Sequence, residues 1–292
     1  MNRPRRRLSA LPFNRLIPNM LTVIALCAGL TAILYGVQGN WQLAVAAVLV
    51  AALLDALDGR IARLLHGSSK FGAELDSLSD FICFGVAPAI LVYLWTLKDA
   101  RGAGWVIALI FAVCSALRLA RFNTGLEDSD APTWAENFFT GVPAPAAGGL
   151  VLLPMMLSFE FDLAFFAHPL VNAPVAIIVG YLMISQIRTF SFKRVRVPQR
   201  MIVPLLLLVG LIAASLATAL WLTMSAVLII YLCTLPFSVR AYRRLAASEP
   251  SADNEAENDT LTVIDSGPGS VDDETGAASV APPTDSDELP RG

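Results

Sequence analysis

The sequence predicts an all-α protein, a polytopic transmembrane helical bundle of about eight spans. Three observations lead there. Apolar residues fill 55% of the 292 positions and the mean hydropathy is +0.62, too apolar for an ordinary soluble domain in a chain too long for a single-span anchor. These residues gather into eight runs separated by short polar or basic links. Acidic residues at the edges of two runs sit at helical spacings, Asp55 with Asp58 and Asp76 with Asp80.

Residues 1–17 mix arginines with Leu8, Leu11 and Phe13, the pattern of a basic segment lying on a membrane surface. That stretch is too long and too interrupted by proline to begin a cleaved signal, so the first apolar helix is read as retained. Pro18, Asn19 and Thr22 open the first span, residues 18–35, and 36–40 form a tight turn. The second span runs from Trp41 into Asp55 and Asp58. A polar link over 60–70 carries His66, read as a loop residue, and the third span covers 71–97. After a turn at 98–104 the fourth span, 105–119, ends in Arg118, Arg121 and Asn123, and a polar loop follows through Asn137. The fifth span follows the Pro143-Ala-Pro145 turn and ends near Phe159. The sixth covers 174–187, with Pro174 at a tolerated first-turn position. Beyond a basic loop at 188–200 come two further spans, 202–216 and 219–235. Cys27, Cys83, Cys114 and Cys233 all lie within apolar runs, which fits small core residues and neither disulfides nor a metal site.

The formal charge of −3 conceals two opposed regions: twelve of the 24 acidic residues follow Arg244, in a tail over 247–292 rich in Asp, Glu, Ser and Pro. With so little apolar surface to bury, that tail is expected to be disordered. The remaining body is basic, as suits loops that face an anionic leaflet. Its loops on the N-terminal side carry eighteen Lys and Arg, against Lys98 and Arg101 on the other side. That asymmetry puts the N-terminus, the acidic helix ends and the tail in the cytoplasm.

Chemistry concentrates between Asp55 and Asp80. Each pair projects from one face of its helix, so two helices present two acidic combs. Four carboxylates at a bilayer edge repel one another and are costly to desolvate unless cations neutralise them, and two divalent ions balance their charge. Hard oxygen ligands without paired His or Cys favour Mg²⁺ or Mn²⁺ over zinc. Gly59 lets a large group approach the backbone beside Asp58, Gly72 does the same at the start of the next helix, and Arg63 suits a phosphate.

Asp55, Asp58, Gly59, Ala62, Arg63, Gly72, Asp76 and Asp80 together resemble, position by position, the signature of the CDP-alcohol phosphotransferase family. The resemblance implies a six-span catalytic membrane domain over 18–200, two further spans over 201–246, and transfer of a phosphoryl-linked group from a CDP-linked donor to an alcohol with release of CMP. By resemblance, Asp55, Asp58, Asp76 and Asp80 hold the metals and Asp80 is the general base. Asn19, Thr22, Gly59, Ala62, Arg63 and Gly72 then line the CDP-lipid site.

Further residues narrow the acceptor. Arg118-Leu-Ala-Arg121-Phe-Asn123, Phe139-Thr-Gly141-Val-Pro143-Ala-Pro145, Ser185 and Phe190-Ser-Phe192-Lys193 resemble the integral-membrane phosphatidylserine synthase branch. That resemblance implies CDP-diacylglycerol and L-serine as substrates, no nucleic acid partner, a homodimer, and a place in the bacterial inner membrane. Serine brings a carboxylate, so its pocket needs a cation; Arg118 and Arg121 are the candidates, with Asn123 as a polar partner. The alternatives are another acceptor (glycerol phosphate, choline or inositol) or an ion or solute transporter built on the acidic cluster.

Overall fold

The computed structural model describes residues 13–65, 69–100, 102–124, 138–185, 188–190 and 201–248. The N-terminal basic segment up to residue 12, His66, the polar loop at 125–137, residues 191–200 and the tail beyond 248 lie outside them. The chain divides into two units, Met1–Arg244 and Leu245–Gly292, and the fold and site below belong to the first.

The elements run α1 (Phe13–Val37), α2 (Trp41–Leu64), α3 (Lys70–Asp80), a π-helical segment Phe81–Val86, and α4 (Ala87–Trp95). A 3₁₀ turn (Leu97–Ala100), α5 (Gly102–Asn123), β1 (Phe138–Thr140), α6 (Ala144–Phe161), α7 (Pro169–Ile184), β2 (Arg188–Phe190), α8 (Ile202–Thr218) and α9 (Leu220–Ser248) complete the order. The protein is an integral membrane helical bundle. Among the described residues, five stretches are long and apolar enough to cross a membrane: Leu16–Val37, Trp41–Leu64, Lys70–Trp95, Gly102–Asn123 and Ala144–Phe161. Three shorter apolar helices, Pro169–Ile184, Val203–Thr218 and Leu220–Pro236, follow them.

Several boundaries differ from the sequence expectation, each for a local reason. The sixth apolar helix begins at Pro169 rather than Pro174, because His168 caps it, its Nδ1 accepting the Leu170 N–H at 3.2 Å. Pro169 then takes the first-turn position and Pro174 falls inside the helix. The first helix likewise starts at Phe13 and carries Pro18 within it. α5 runs on to Asn123, past the expected end of the fourth span at 119, so Arg118, Arg121 and Asn123 sit in its last turns. The two three-residue strands were not expected; they pair antiparallel, Phe139 opposite Thr189.

Helices in a bilayer gain little from hiding apolar surface, so close packing through small residues holds the bundle together. Ala25, Ala32, Ala44 and Ala51 are buried, and α1 packs along α2 in a hairpin closed by Gly39 at φ +77°. Gly29 lets α1 meet the π-helical segment: a Cβ there would lie 2.5 Å from the Cys83 Sγ. Cys83 in turn donates its thiol proton to the Ala25 carbonyl at 3.3 Å. The π-helical segment directly follows Asp80 and interrupts an otherwise continuous helix from Lys70 to Trp95. Its wider turn re-phases the helix face, so α3 and α4 present different faces to their neighbours.

Candidate active site

Asp55 and Asp58 occupy the last turns of α2, and Asp76 and Asp80 lie on α3. One carboxylate oxygen from each of Asp55, Asp58 and Asp76 lies within 4.8 Å of the other two. At 4.8 Å and an effective dielectric constant of about 20, each pair of full negative charges repels by about 3.5 kcal/mol. Three such pairs disfavour full ionisation of the cluster, a repulsion relieved by protons or by bound cations.

Asp80 stands beside this group rather than within it. It comes within hydrogen-bonding reach of Asp55, an arrangement of two carboxylates that needs a proton or a metal cation between them. Its Oδ1 is buried without a hydrogen-bond partner among the described residues. An orphaned buried carboxylate oxygen next to three converging carboxylates is the donor set of a hard divalent cation, and the residues therefore fit a metal.

Asp58 is 3% exposed and is held by Thr22, whose Oγ1 donates to Asp58 Oδ2 at 2.6 Å. The same hydroxyl lies 3.1 Å from the Pro18 carbonyl, the longer of its two options. Thr22 was expected only to line the nucleotide site; the fold also gives it a carboxylate to orient.

A pocket of about 170 Å³ opens beside the cluster. Of the residues expected at the CDP-lipid site, Asn19, Thr22, Gly59, Ala62 and Gly72 line it, together with Asp58 and Asp76. Arg63 is exposed on α2 and does not line it. Gly59 has open space where a Cβ would project, so its missing side chain leaves room in the pocket wall rather than serving internal packing. At Gly72 the opposite holds: a Cβ would sit 2.7 Å from Asn19 Oδ1 and 3.1 Å from Ser69 Oγ. Pro18, Ser69 and Ala73 also line the pocket and were missed. Ser69 had a readable signal, a serine before a helix start: its Oγ accepts the Gly72 N–H at 3.0 Å and caps α3.

The three acceptor candidates diverge. Arg118 is half-buried, and its charge acts on the Asp80 carboxylate. Arg121 turns to α7, its Nη1 donating to the Ile184 carbonyl at 3.1 Å, a favourable place for a cation at a helix C-terminus. Both arginines line a second cavity of about 350 Å³ with Leu117, Ala120, Thr124 and Ile184. Asn123 reaches α3, its Nδ2 donating to Ser77 Oγ at 3.0 Å, one residue past Asp76.

The later motifs also meet. Gly141 has φ +73°, and a Cβ there would lie 2.7 Å from the Met183 carbonyl, so the turn into α6 admits glycine alone without strain. Val142 N–H donates to the Leu182 carbonyl at 3.3 Å, and Ser185 Oγ donates to the same oxygen at 2.9 Å. The turn into α6 and the end of α7 are thereby joined.

Residues 15–177 match the family model for CDP-alcohol phosphatidyltransferase. The chain is 36% identical over 232 residues to the CDP-diacylglycerol--serine O-phosphatidyltransferase of Mycobacterium tuberculosis (strain H37Rv), covering 80% of this chain and 81% of that protein. It is 36% identical over 178 residues to the protein of the same name from Bacillus subtilis, 61% of this chain and 92% of that one. An archaetidylserine synthase of Methanothermobacter thermautotrophicus is 36% identical over 176 residues, 59% of this chain and 68% of its own length.

Proposed function

Because the chain belongs to the CDP-alcohol phosphatidyltransferase family, we propose that it is a phosphatidylserine synthase, a membrane transferase that moves the phosphatidyl group of CDP-diacylglycerol to the hydroxyl of L-serine and releases CMP. The carrying observation is the convergence of Asp55, Asp58 and Asp76 from two helices beside a pocket lined by Asn19, Thr22, Gly59, Ala62 and Gly72. The choice of serine is supported by the names of the relatives and by a cation, Arg118, set beside the carboxylate expected to act as base.

Asp55, Asp58 and Asp76, with Asp80 beside them, would hold Mg²⁺ or Mn²⁺, two ions per site. When bound, the cations supply the positive charge that a pyrophosphate and a departing CMP require. The chain's own residues do the rest. The small pocket takes the diphosphate and the adjoining part of the nucleotide, with Gly59 and Gly72 giving close backbone approach and Asn19 a polar contact. Arg63, exposed at the rim, meets the donor as it arrives from the lipid. Arg118 and Arg121, which line one cavity, receive serine from the cytoplasm and orient it, and Asn123 steadies the Asp76 end of α3 through Ser77. Asp80 takes the proton of the serine hydroxyl as its oxygen bonds to the diacylglycerol-linked phosphorus, and the bond from that phosphorus to the CMP oxygen breaks. Transfer is direct and in line, with no covalent enzyme intermediate.

The same reading places the protein in the inner membrane with the N-terminus, the site and the tail in the cytoplasm. It takes residues 18–200 as the catalytic domain, 201–246 as added spans and 247–292 as an accessory tail, and it includes a homodimer. The test is to incubate membranes containing the protein with CDP-diacylglycerol and labelled serine, glycerol 3-phosphate, choline or inositol, with and without EDTA. EDTA-sensitive CMP release that depends on serine is the expected result. Release that depends on another alcohol reassigns the acceptor, and no CMP release with any of them removes the enzymatic reading.

A further inference from the structure

The last apolar helix, α9, lies outside the family-model match, which ends at residue 177. Its inward seam is nonetheless regular. Trp221, Met224, Leu228, Tyr231 and Leu235 recur at alternating spacings of three and four, the spacing that keeps one helix face against a neighbour. All five belong to or pack against the buried core. Trp221 meets Phe159 of α6 edge to face, with ring centroids 5.1 Å apart. Leu228 fits over Gly149, where a Cβ would lie 3.0 Å from its Cδ2.

Four of these five positions carry only apolar groups or, at Trp221, an indole. Tyr231 is the exception, because its Oη is buried and has no hydrogen-bond partner among the described residues. Phenylalanine would fill the same volume without burying a hydroxyl, so packing alone does not account for the oxygen. Arg118 on α5 supplies the missing context. Its charge acts on Tyr231 and also on Asp80, whose Oδ1 is, like the Oγ atoms of Ser115 and Ser225, a buried oxygen without a hydrogen-bond partner among the described residues. A phenolic O–H and a guanidinium are both donors and together suit a carboxylate. The Asp80 carboxylate close by, the expected base, suits a hydroxyl that must give up its proton. Serine carries both groups on adjoining carbons.

We propose that Tyr231 is a specificity-determining residue of the acceptor pocket, its hydroxyl donating to the carboxylate of the incoming amino acid beside the Arg118 guanidinium. This rests on the reading of Arg118 as an acceptor residue. It extends the acceptor pocket to a helix that the family match does not reach, and it makes α9 more than added membrane anchorage.

The experiment compares full-length wild type, Y231F and R118K in the same vesicles, with serine and serinamide as acceptors. Y231F keeps the ring and its packing and removes one oxygen, so unchanged thermal stability is the expected check on folding. Loss of a donor to a charged group should raise the KM for serine about tenfold while the KM for CDP-diacylglycerol stays within about twofold. The preference for serine over serinamide, which lacks the carboxylate, should fall by a similar factor. A serine KM unchanged in Y231F overturns the proposal, as does an equal loss for serine and serinamide. If R118K raises the serine KM where Y231F does not, Tyr231 is removed and the acceptor reading stands. If neither variant changes it, both fall.

Discussion

Replacing Thr22 by valine removes one hydroxyl and almost nothing else, since the two side chains share a branched shape. Thr22 is 4% exposed and Asp58 3% exposed, so no bulk water replaces the lost donor. The bond removed is short, 2.6 Å from Oγ1 to a carboxylate oxygen. A hydrogen bond to a charged group contributes about 1.5–3 kcal/mol, which corresponds to about 10–100-fold in an equilibrium constant. Loss of a partner that orients a metal ligand carries a similar 10–100-fold cost in metal affinity by experience with other sites, roughly the same range reached independently. Thr22→Val should therefore raise the Mg²⁺ or Mn²⁺ concentration for half-maximal activity by about tenfold or more, with saturating metal restoring much of the rate. Thr22→Ser, which keeps the hydroxyl, should restore most of the affinity. The assay is a metal titration of CMP release, paired with direct Mn²⁺ binding to the purified protein. An unchanged metal requirement in Thr22→Val, with the KM for CDP-diacylglycerol raised instead, would refute the reasoning and leave Thr22 as a nucleotide contact alone.

Two other substitutions probe the same site. Asp80→Asn keeps the size of the side chain and removes its ability to accept a proton; turnover should fall by about 10²–10⁴-fold while CDP-diacylglycerol still binds, and retained turnover would end its role as base. Gly72→Ala places a Cβ 2.7 Å from Asn19 Oδ1, so Asn19 must move out of the pocket wall; the KM for CDP-diacylglycerol should rise while the KM for serine changes little, as initial rates against each substrate will show.

The acidic combs were legible in the sequence because spacing along a helix is a local property. Residues three or four apart share a face whatever the rest of the chain does, so Asp55 with Asp58 and Asp76 with Asp80 could be paired in advance. The glycines beside them were legible for the same reason. The start of α7 was not, because the choice between Pro169 and Pro174 turned on a capping contact from His168. Nor were the strands, whose pairing joins segments about fifty residues apart. The π-helical segment after Asp80 had no signal in composition, since it reflects how Cys83 and its neighbours fit against α1.

Taken alone, the sequence determined that this is a membrane bundle, that half of its acidic residues lie after Arg244 while the body before them is basic, and which residues form each acidic face. Those properties follow from composition and from helical periodicity. Only the tertiary structure decided which faces meet: that Thr22 holds Asp58, that the charge of Arg118 reaches Asp80 and Tyr231, and that Arg121 turns to the end of α7. The physical reason is distance along the chain. Tyr231 lies more than a hundred residues from Arg118, and their meeting is set by how α9 packs on the rest of the bundle, which no local pattern records.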